Sequence, residues 1–218
     1  MRKFDPQCRA CPRLARHLDG IRRRYPSYHA GPVAPFGPRR TRFLVVGLAP
    51  GMHGANRTGR PFTGDFAGRF LYETLHRYGF SSRAVSVAFD DGLRLRNCRI
   101  TNAVKCLPPG NKPESSEVRR CNEFLASELR ELGRGGVILS LGVIAHEAVL
   151  KALGFRRSHF PFRHGAQHRL PNGFMLLNSY HCSRYNTQTR RLTPAMFDSV
   201  IGRARAILDK SRNVIRGS

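Results

Sequence analysis

The chain has 218 residues, a length that one domain spanning residues 1–218 can fill with a hydrophobic core. Its 38 Lys and Arg residues against 14 Asp and Glu residues give a formal charge of +24 at pH 7. A surface with this charge attracts polyanions, and an enzyme that acts on small neutral or anionic metabolites rarely needs it. Hydrophobic residues at 40% and charged residues at 24% exclude a wholly disordered chain.

The expected location follows from what the sequence lacks. No apolar run approaches the roughly 18 residues of a membrane span, and the first eight residues lack the apolar stretch of a secretory signal. We therefore expect a cytoplasmic protein without membrane contact. In a reducing compartment the six cysteines indicate metal binding or catalysis more than disulfides.

Helices and strands alternate along the chain. In chain order the pattern predicts a basic helix at 12–24, a Pro-rich loop at 26–41, a strand at 43–46, a helix at 66–78, a strand at 98–104, a helix at 115–132, a strand at 137–141, a helix at 143–153, a strand at 174–177 and a helix after Thr193-Pro194. This alternation favours an α/β fold with a parallel sheet covered on both faces. Ligands of such sheets bind beyond the carboxyl ends of the strands.

The loop after the first strand carries two candidate site residues. It begins at Gly47-Leu-Ala-Pro-Gly51, where backbone can approach a ligand closely, but it lacks the Gly-Lys-Ser/Thr of a phosphate loop. Asp65 ends a stretch in which residues 20–64 contain no acid, and it fits either a helix N-cap or a catalytic carboxylate. Phe62 fits either a buried loop anchor or a platform for a planar ligand.

Two further strand ends carry polar residues. Asn102 lies at the end of an otherwise apolar strand, where its amide pairs with backbone or with the edge of a base. His181 follows the fourth strand, and a lone His is either structural or catalytic. The loop of His181 is basic because it contains Arg184, Arg190 and Arg191. These arginines fit either contact with phosphates or a solvated charged turn.

Four of the cysteines are candidate metal ligands. Cys8-x2-Cys11 is a typical metal-binding pair, and Cys106 and Cys121 have a spacing that suits partners of this pair. A cysteine on the apolar face of a helix, as Cys121 is, also serves as a small core residue. Four thiolates hold zinc, the default from the residues alone, or an iron–sulfur cluster.

Taken together, these motifs resemble the iron–sulfur uracil-DNA glycosylases, most closely family 5, the type B enzymes. The segments that carry the resemblance are Cys8-x2-Cys11, Gly47–Gly51 running on through Asn56–Asp65, Thr101–Pro109, His181-x-Ser183 with Asn186, and Leu192–Pro194. The resemblance implies a three-layer α/β/α fold with a central four-stranded parallel sheet. It also implies a [4Fe-4S] cluster on Cys8, Cys11, Cys106 and Cys121 that ties the N-terminal segment to the core.

The resemblance further implies roles for individual residues. Asp65 orients the attacking water, His181 stabilises the departing base, and Asn102 faces the base or sugar. Phe62 stacks on the flipped base. The remaining residues expected to bind the base are Gly47, Leu48 and Ala49, and those expected to contact DNA are Arg57, Arg60, Ser183, Arg184 and Asn186.

Two positions matter for comparison within the related families. Leu48 stands where the related family 4 carries Glu, which fits a looser choice of base. The motif that normally reads His-Pro-Ser reads His181-Cys182-Ser183 here, and the loss of Pro is expected to loosen the loop that holds His181.

We therefore expect a monomeric, monofunctional glycosylase that hydrolyses the N-glycosidic bond of uracil, and of hypoxanthine and xanthine, in duplex DNA. No lysine of the motifs is an evident Schiff-base nucleophile for a lyase step. The alternative is a non-catalytic basic nucleic-acid-binding protein with a structural zinc or Fe–S site. The charge of +24 suits both, but a binder has no need of Asp65, Asn102 and His181 at three strand ends.

Overall fold

The computed structural model describes residues 3–216, with side chains up to Ser211. Its strands are β1 (Thr41–Gly47), β2 (Cys98–Asn102), β3 (Leu132–Leu141), β4 (Gln167–Arg169) and β5 (Met175–Ser179). Its helices are α1 (Pro12–Arg24), α2 (Ala55–Thr58), α3 (Phe66–Arg77), α4 (Ser115–Arg130), α5 (Val143–Ala152), α6 (Arg184–Gln188) and α7 (Pro194–Arg216), with 3-10 turns at Pro109–Asn111 and Arg157–His159. None of the described helices is long and apolar enough to cross a membrane.

The strands form one sheet in the order β2-β1-β3-β5-β4. Its first four members run parallel, as the alternation of strands and helices predicts. The expected count of four is one too low, because β4 pairs antiparallel with β5 at the edge. Gln167, His168 and Arg169 contain no apolar run, so the pattern of apolar runs does not indicate a strand there.

Successive residues of β1 point to opposite faces of the sheet. Phe43 and Val45 pack with α3 and α7, whereas Leu44 and Val46 pack with α4 and α5. All four side chains are at most 1% exposed, which explains why this strand is a continuous apolar run. The predicted three-layer α/β/α class is therefore confirmed.

Helix α1 packs beside the sheet, against the segment that follows β2 and the first half of α4. Its buried face consists of Leu14, Leu18 and Ile21, which share a cluster with Val104 and Phe124. The same cluster contains Cys106 and Cys121, so the fold brings the N-terminal segment to these two cysteines.

Candidate active site

The carboxyl ends of β1, β2 and β5 meet at one cavity of about 450 Å³. Gly47 and Asn102 end two paired strands in register, and His181 follows the end of β5. The residues that line the cavity are Leu48, Ala49, Gly51, Ala55, Phe62, Asp65, Phe66, Ala67, Asn102, Asn111, His181, Ser183 and Arg184. The structure thus brings the three predicted catalytic residues together, at the edge where parallel sheets bind ligands.

Gly47 makes room for two of these side chains. A Cβ atom at Gly47 would lie 2.4 Å from Oδ1 of Asn102 and 2.6 Å from Cζ of Phe62, so no larger residue fits without displacing both. Phe62 has a φ of +53°, a left-handed conformation that is uncommon for a bulky residue. Its ring is stacked with that of His181, with centroids 5.9 Å apart and planes at 29°.

Asn102 carries an unpaired acceptor at this edge. The side chain is only 3% exposed, and its Oδ1 atom has no hydrogen-bond partner among the described residues. A buried amide oxygen without a partner costs free energy unless a ligand supplies the donor. The Oδ1 atom of Asn102 therefore does not pair with backbone, which was one of the two alternatives for this side chain.

Asp65 caps α3 and also lines the cavity. Its Oδ1 atom accepts a hydrogen bond of 2.8 Å from the backbone N–H of Gly68 and so caps α3. Its Oδ2 atom lies against the preceding turn, since a Cβ at Gly54 would be 2.0 Å from it. Burial raises the pKa of Asp65 above its ordinary value, although hydrogen bonds from Gly68 and Ala67 act in the opposite direction.

His181 is held by the loop that leads into α6. Its carbonyl accepts a hydrogen bond of 2.8 Å from Nδ2 of Asn186, and Ser183 caps α6 by accepting from the backbone N–H of Asn186 at 3.4 Å. Burial lowers the pKa of His181 to about 4, because a charged imidazole is disfavoured away from water. The ring is therefore neutral at pH 7.

Cys182 fastens this loop to α3. The side chain is fully buried, and its Sγ donates to the carbonyl of Ala67 at 3.5 Å, in the first turn of the helix that Asp65 caps. Burial raises the pKa of the thiol, so Cys182 stays protonated. Where the resembling motif has a proline ring, this chain has a thiol that joins the His181 loop to the Asp65 helix.

The four candidate metal ligands line a second, small cavity beside α1. Cys106 and Cys121 are buried, whereas Cys8 and Cys11 are half-buried. The backbone N–H of Lys105 donates to Sγ of Cys121 at 3.3 Å. Residues that are 113 positions apart in the sequence, Cys8 and Cys121, thus meet at one place.

Comparisons with known proteins show the family of this chain. A sequence profile of the Uracil DNA glycosylase superfamily matches residues 34–205. A Type-5 uracil-DNA glycosylase from Thermus thermophilus is 49% identical over 205 residues, covering 92% of this chain and 93% of the relative. The chain belongs to the type-5 uracil-DNA glycosylases. A Type-5 uracil-DNA glycosylase from Pyrobaculum aerophilum is 42% identical over 203 residues, or 91% of this chain and 88% of the relative. The solved structure of wild-type Pedobacter heparinus SMUG2 matches 82% of this chain and 77% of its own, with 14% identity and a TM-score of 0.44.

This family membership confirms the resemblance predicted from the motifs. It also decides between the two functional interpretations, because the relatives are named as glycosylases rather than as non-catalytic nucleic-acid-binding proteins.

One predicted DNA contact of this type-5 chain is wrong. The Arg60 side chain is only 2% exposed, and its guanidinium forms a buried ion pair of 2.5 Å with Asp91. It also donates to Thr63 Oγ1 at 3.0 Å, to Ser86 Oγ at 2.5 Å and to the carbonyl of Phe89 at 3.1 Å. A guanidinium occupied in this way does not reach a phosphate.

The other residues predicted to contact DNA are exposed or half-buried, and their contact with DNA stays a prediction. Arg57 is exposed and donates to the carbonyl of His53 at 2.8 Å. Arg184 is exposed at the cavity wall, with its guanidinium carbon 5.6 Å from the ring centroid of Phe66. Ser183 and Asn186 stabilise the α6 turn, and Ser183 also lines the cavity.

Sequence reasoning missed Lys105, which lies between the two cavities. This lysine is 1% exposed, and its Nζ donates to Thr101 Oγ1 at 2.6 Å and to the Asn102 carbonyl at 2.8 Å. It also forms an ion pair of 2.8 Å with Glu128. The signal was a lone lysine between Asn102 and Cys106. Because its ammonium is fully engaged, Lys105 is not a free amine for a Schiff base.

Asn111 is a second cavity residue that sequence reasoning missed. It is exposed, has a φ of +56° and lines the cavity. Its place after Pro108-Pro109-Gly110 indicated only a turn.

Proposed function

We propose that this chain excises uracil from duplex DNA by hydrolysing the N-glycosidic bond, and that it acts as a monomer and leaves an abasic site. The observation that carries the proposal is the meeting of Asp65, Asn102 and His181 at one cavity beside Phe62. A base inside a duplex is out of reach, so the nucleotide must be rotated out of the stack into this cavity.

Phe62 and Asn102 bind the flipped base in this proposal. Phe62 supplies an apolar face on which a planar ring stacks. Uracil presents an N–H group on its pairing edge, and the unpaired Oδ1 of Asn102 is an acceptor for such a donor. Gly47 is necessary for both, because a Cβ there would collide with each of them.

Asp65 and His181 act on the two charges that develop as the bond breaks. The sugar becomes positive, and the Asp65 carboxylate stabilises that charge and orients the attacking water. The base becomes negative, and the neutral imidazole of His181 donates a hydrogen bond to it. A neutral donor suits this role, since the pKa of His181 is about 4 and the ring has no extra proton to transfer at pH 7.

A gel assay tests the proposed reaction. The protein is incubated with a labelled duplex that contains one uracil, treated with alkali and sized by electrophoresis, with a thymine duplex as the substrate control. We expect cleavage at uracil only after alkali, because hydrolysis alone leaves the backbone intact. Intact uracil strands after long incubation with excess protein would contradict the proposal, and strand breaks without alkali would contradict its monofunctional part.

The proposed substrates include hypoxanthine and xanthine. Part of the cavity wall is apolar and consists of Leu48, Ala49, Ala55 and Ala67. These side chains have no polar group that would be left unpaired by one base and satisfied by another, so they do not discriminate against a second base. Excision rates on matched duplexes containing each base test this extension, and activity on uracil alone would contradict it.

A [4Fe-4S] cluster on Cys8, Cys11, Cys106 and Cys121 is part of the proposal. The four thiols line one cavity, but no three His, Cys, Asp or Glu side chains in the described part of the chain are grouped to hold one metal ion. Four cysteine thiolates are the ligand set of such a cluster, and the likeness of the motifs to those of the iron–sulfur glycosylases favours it over zinc. When bound, the cluster cross-links the N-terminal segment to α4 and to the segment after β2.

Metal analysis tests this cofactor. Protein purified without oxygen from iron-replete cells is expected to be brown and to contain about four iron and four sulfide per chain, as this cluster type requires. A colourless protein with one zinc per chain would contradict the assignment.

A further inference from the structure

The segment Gly59–Gly64, which we call the Phe62 loop, holds one residue in a strained conformation. Phe62 has a φ of +53°, in the left-handed region, where the Cβ of an ordinary residue crowds its own backbone. A bulky residue stays in this region only when the contacts around it leave it no alternative. The Phe62 loop therefore depends on contacts that hold it from outside.

Arg60, two residues before Phe62, supplies these contacts. Its Nε atom donates to Oγ1 of Thr63 at 3.0 Å, so the guanidinium joins the residues on the two sides of Phe62. Its Nη2 atom reaches out of the loop, where it donates to Oγ of Ser86 at 2.5 Å and pairs with the Asp91 carboxylate at 2.5 Å. Arg60 thus closes the Phe62 loop and fastens it to the segment that precedes β2.

The Asp91 carboxylate is itself fixed in place. It accepts hydrogen bonds from the backbone N–H groups of Val87 at 2.9 Å and of Leu93 at 3.0 Å. Burial acts to raise the pKa of Asp91, but the hydrogen bonds from Arg60 and from these N–H groups outweigh burial and hold the pKa below its ordinary value. The carboxylate is therefore charged at pH 7, opposite a guanidinium that is always charged.

This ion pair is shielded from water. The Arg60 and Asp91 side chains are 2% and 8% exposed, so both charges have lost most of their hydration. Apolar residues of the same volume would stabilise such a place about as well, because the cost of removing two charges from water cancels much of their attraction. What apolar residues cannot supply is direction, since the guanidinium holds its N–H donors in one fixed plane. The pair therefore fits a role in fixing geometry more than a role in stability.

The geometry that the pair fixes is that of the Phe62 ring. The ring lies against the end of β1, where a Cβ at Gly47 would be 2.6 Å from its Cζ atom. It also stacks with the ring of His181, with 5.9 Å between the centroids. A rotation about the backbone of Phe62 moves the ring relative to both neighbours and changes its tilt toward the cavity. The surface on which a base stacks therefore depends on the conformation of the Phe62 loop.

We propose that Arg60 and Asp91 are positioning residues, which hold the Phe62 loop in the one conformation that aligns the Phe62 ring with a flipped uracil. The inference rests on the proposed function and adds to it the means by which the stacking residue is kept in place. Both side chains lie outside the set of residues that line the cavity, so they act through Phe62 and not on the base. A site holds its geometry only when such supporting contacts fix its side chains.

A fluorescence measurement tests the position of the ring without any substrate. The chain contains no Trp, so Phe62→Trp introduces a single indole into the Phe62 loop. Arg60→Met/Asp91→Leu replaces the buried pair by apolar side chains, and Arg39→Met/Glu131→Leu is the matched control that removes an Arg–Glu pair at the opposite end of the sheet. We expect the indole emission to shift to longer wavelength and to become more accessible to acrylamide when the buried pair is removed, and to stay unchanged in the control. Identical emission and quenching in all backgrounds would overturn the inference.

Single-turnover excision of uracil tests the route by which the pair acts. Asp91→Asn, which keeps the shape of the side chain, and Arg60→Met/Asp91→Leu should each lower the rate at least about tenfold, since misplacing a site group by about 1 Å costs up to about 100-fold. In a Phe62→Ala background the same changes should alter the rate by less than about twofold, because no ring is left to position. Thermal unfolding shows that each variant is folded at the assay temperature, and Asp91→Asn carries both measurements if the double variant is not.

The outcomes separate this inference from the proposed reaction. Equal fold-losses with Phe62 and with Phe62→Ala would show that the pair acts by another route and would overturn the inference. Absence of uracil excision by the wild-type holoprotein would overturn the proposed function, whereas the indole emission would still decide whether the buried pair holds the Phe62 loop.

Discussion

Asp65 shows that a cap and a charged site residue are not exclusive alternatives. One carboxyl oxygen caps α3 through Gly68, and the other lies against Gly54 at the wall of the cavity. The cap also fixes the carboxylate in direction, so the helix start positions the group that the proposed reaction needs. The sequence offered the two roles as alternatives, and the geometry shows that the residue that caps α3 also lines the cavity.

Asp65→Asn separates the cap from the charge. The amide oxygen still accepts from Gly68, so the free energy of unfolding should change by less than about 1 kcal/mol. Single-turnover excision of uracil should fall by roughly 100-fold or more, because the preorganised negative charge is lost. Asp65→Ala is the control that loses both functions. Equal excision rates for Asp65→Asn and wild type would show that the cap is the only role.

The pH dependence of excision follows from two acid-side titrations. Burial raises the pKa of Asp65 above its ordinary value, and protonation as the pH falls removes its charge. The pKa of His181 is about 4, so its ring becomes charged only in stronger acid. We expect a single-turnover rate that is constant around pH 7 and decreases at acidic pH. A rate that rises as the pH falls from 7 to 5 would contradict a neutral His181, since that profile belongs to an imidazolium acting as an acid.

Arg60 shows where prediction from residue type fails. An arginine in a basic motif loop suggests a phosphate contact, and nothing local reveals that its partner, Asp91, comes 31 residues later. Burial of the pair depends on how the segment before β2 folds back. Whether an arginine is buried or free to bind a phosphate therefore depends on contacts with residues that are distant in the sequence.

At the scale of elements, apolar runs predicted the parallel strands because these strands are buried on both faces. The strand predicted at 98–104 ends at Asn102, although the next two residues still donate to the segment after β1, at the carbonyls of Gly47 and Leu48. Helix α4 begins at Ser115 as expected, but Glu114 provides the cap through a capping box with Glu117. Boundaries depend on such local hydrogen bonds and are harder to predict than the elements themselves.

Lys105 connects β2 to α4, and its ion pair with Glu128 is expected to be costly to break. Lys105→Met leaves Glu128 buried without its partner and should lower the free energy of unfolding by about 3 kcal/mol or more. It should also slow excision, because the Lys105 ammonium holds the Asn102 carbonyl. Denaturant unfolding and single-turnover rates measure both effects.

The double variant Lys105→Met/Glu128→Leu is the control for this pair. It removes the buried charge together with its partner, so much of the lost stability should return. Slow excision should persist, because the contact to Asn102 is still missing. A double variant as unstable as Lys105→Met alone would show that the ion pair is not what the single change disrupts.

At the scale of the whole molecule, composition predicted a polyanion partner and the motifs predicted the family, yet neither located the charges. The exposed arginines Arg57 and Arg184 lie at or near the cavity, Arg190 and Arg191 follow α6, and Arg39 pairs with Glu131 at the opposite end of the sheet. A net charge of +24 does not distinguish these places. Only the fold shows which arginines share a face with the cavity.

The salt dependence of DNA binding measures how many of these arginines face the backbone. With Arg60 buried, Arg57, Arg184, Arg190 and Arg191 remain, and four neutralised phosphates give a log–log slope of about −3.6 for duplex binding. Arg184→Gln should make the slope shallower by about 0.9, whereas Arg39→Gln, which removes the same charge from the opposite end, should leave it unchanged. Fluorescence anisotropy with an uncleavable duplex between 50 and 300 mM salt provides the slopes. If both variants shift the slope equally, the binding follows the net charge of the molecule and not the cavity face.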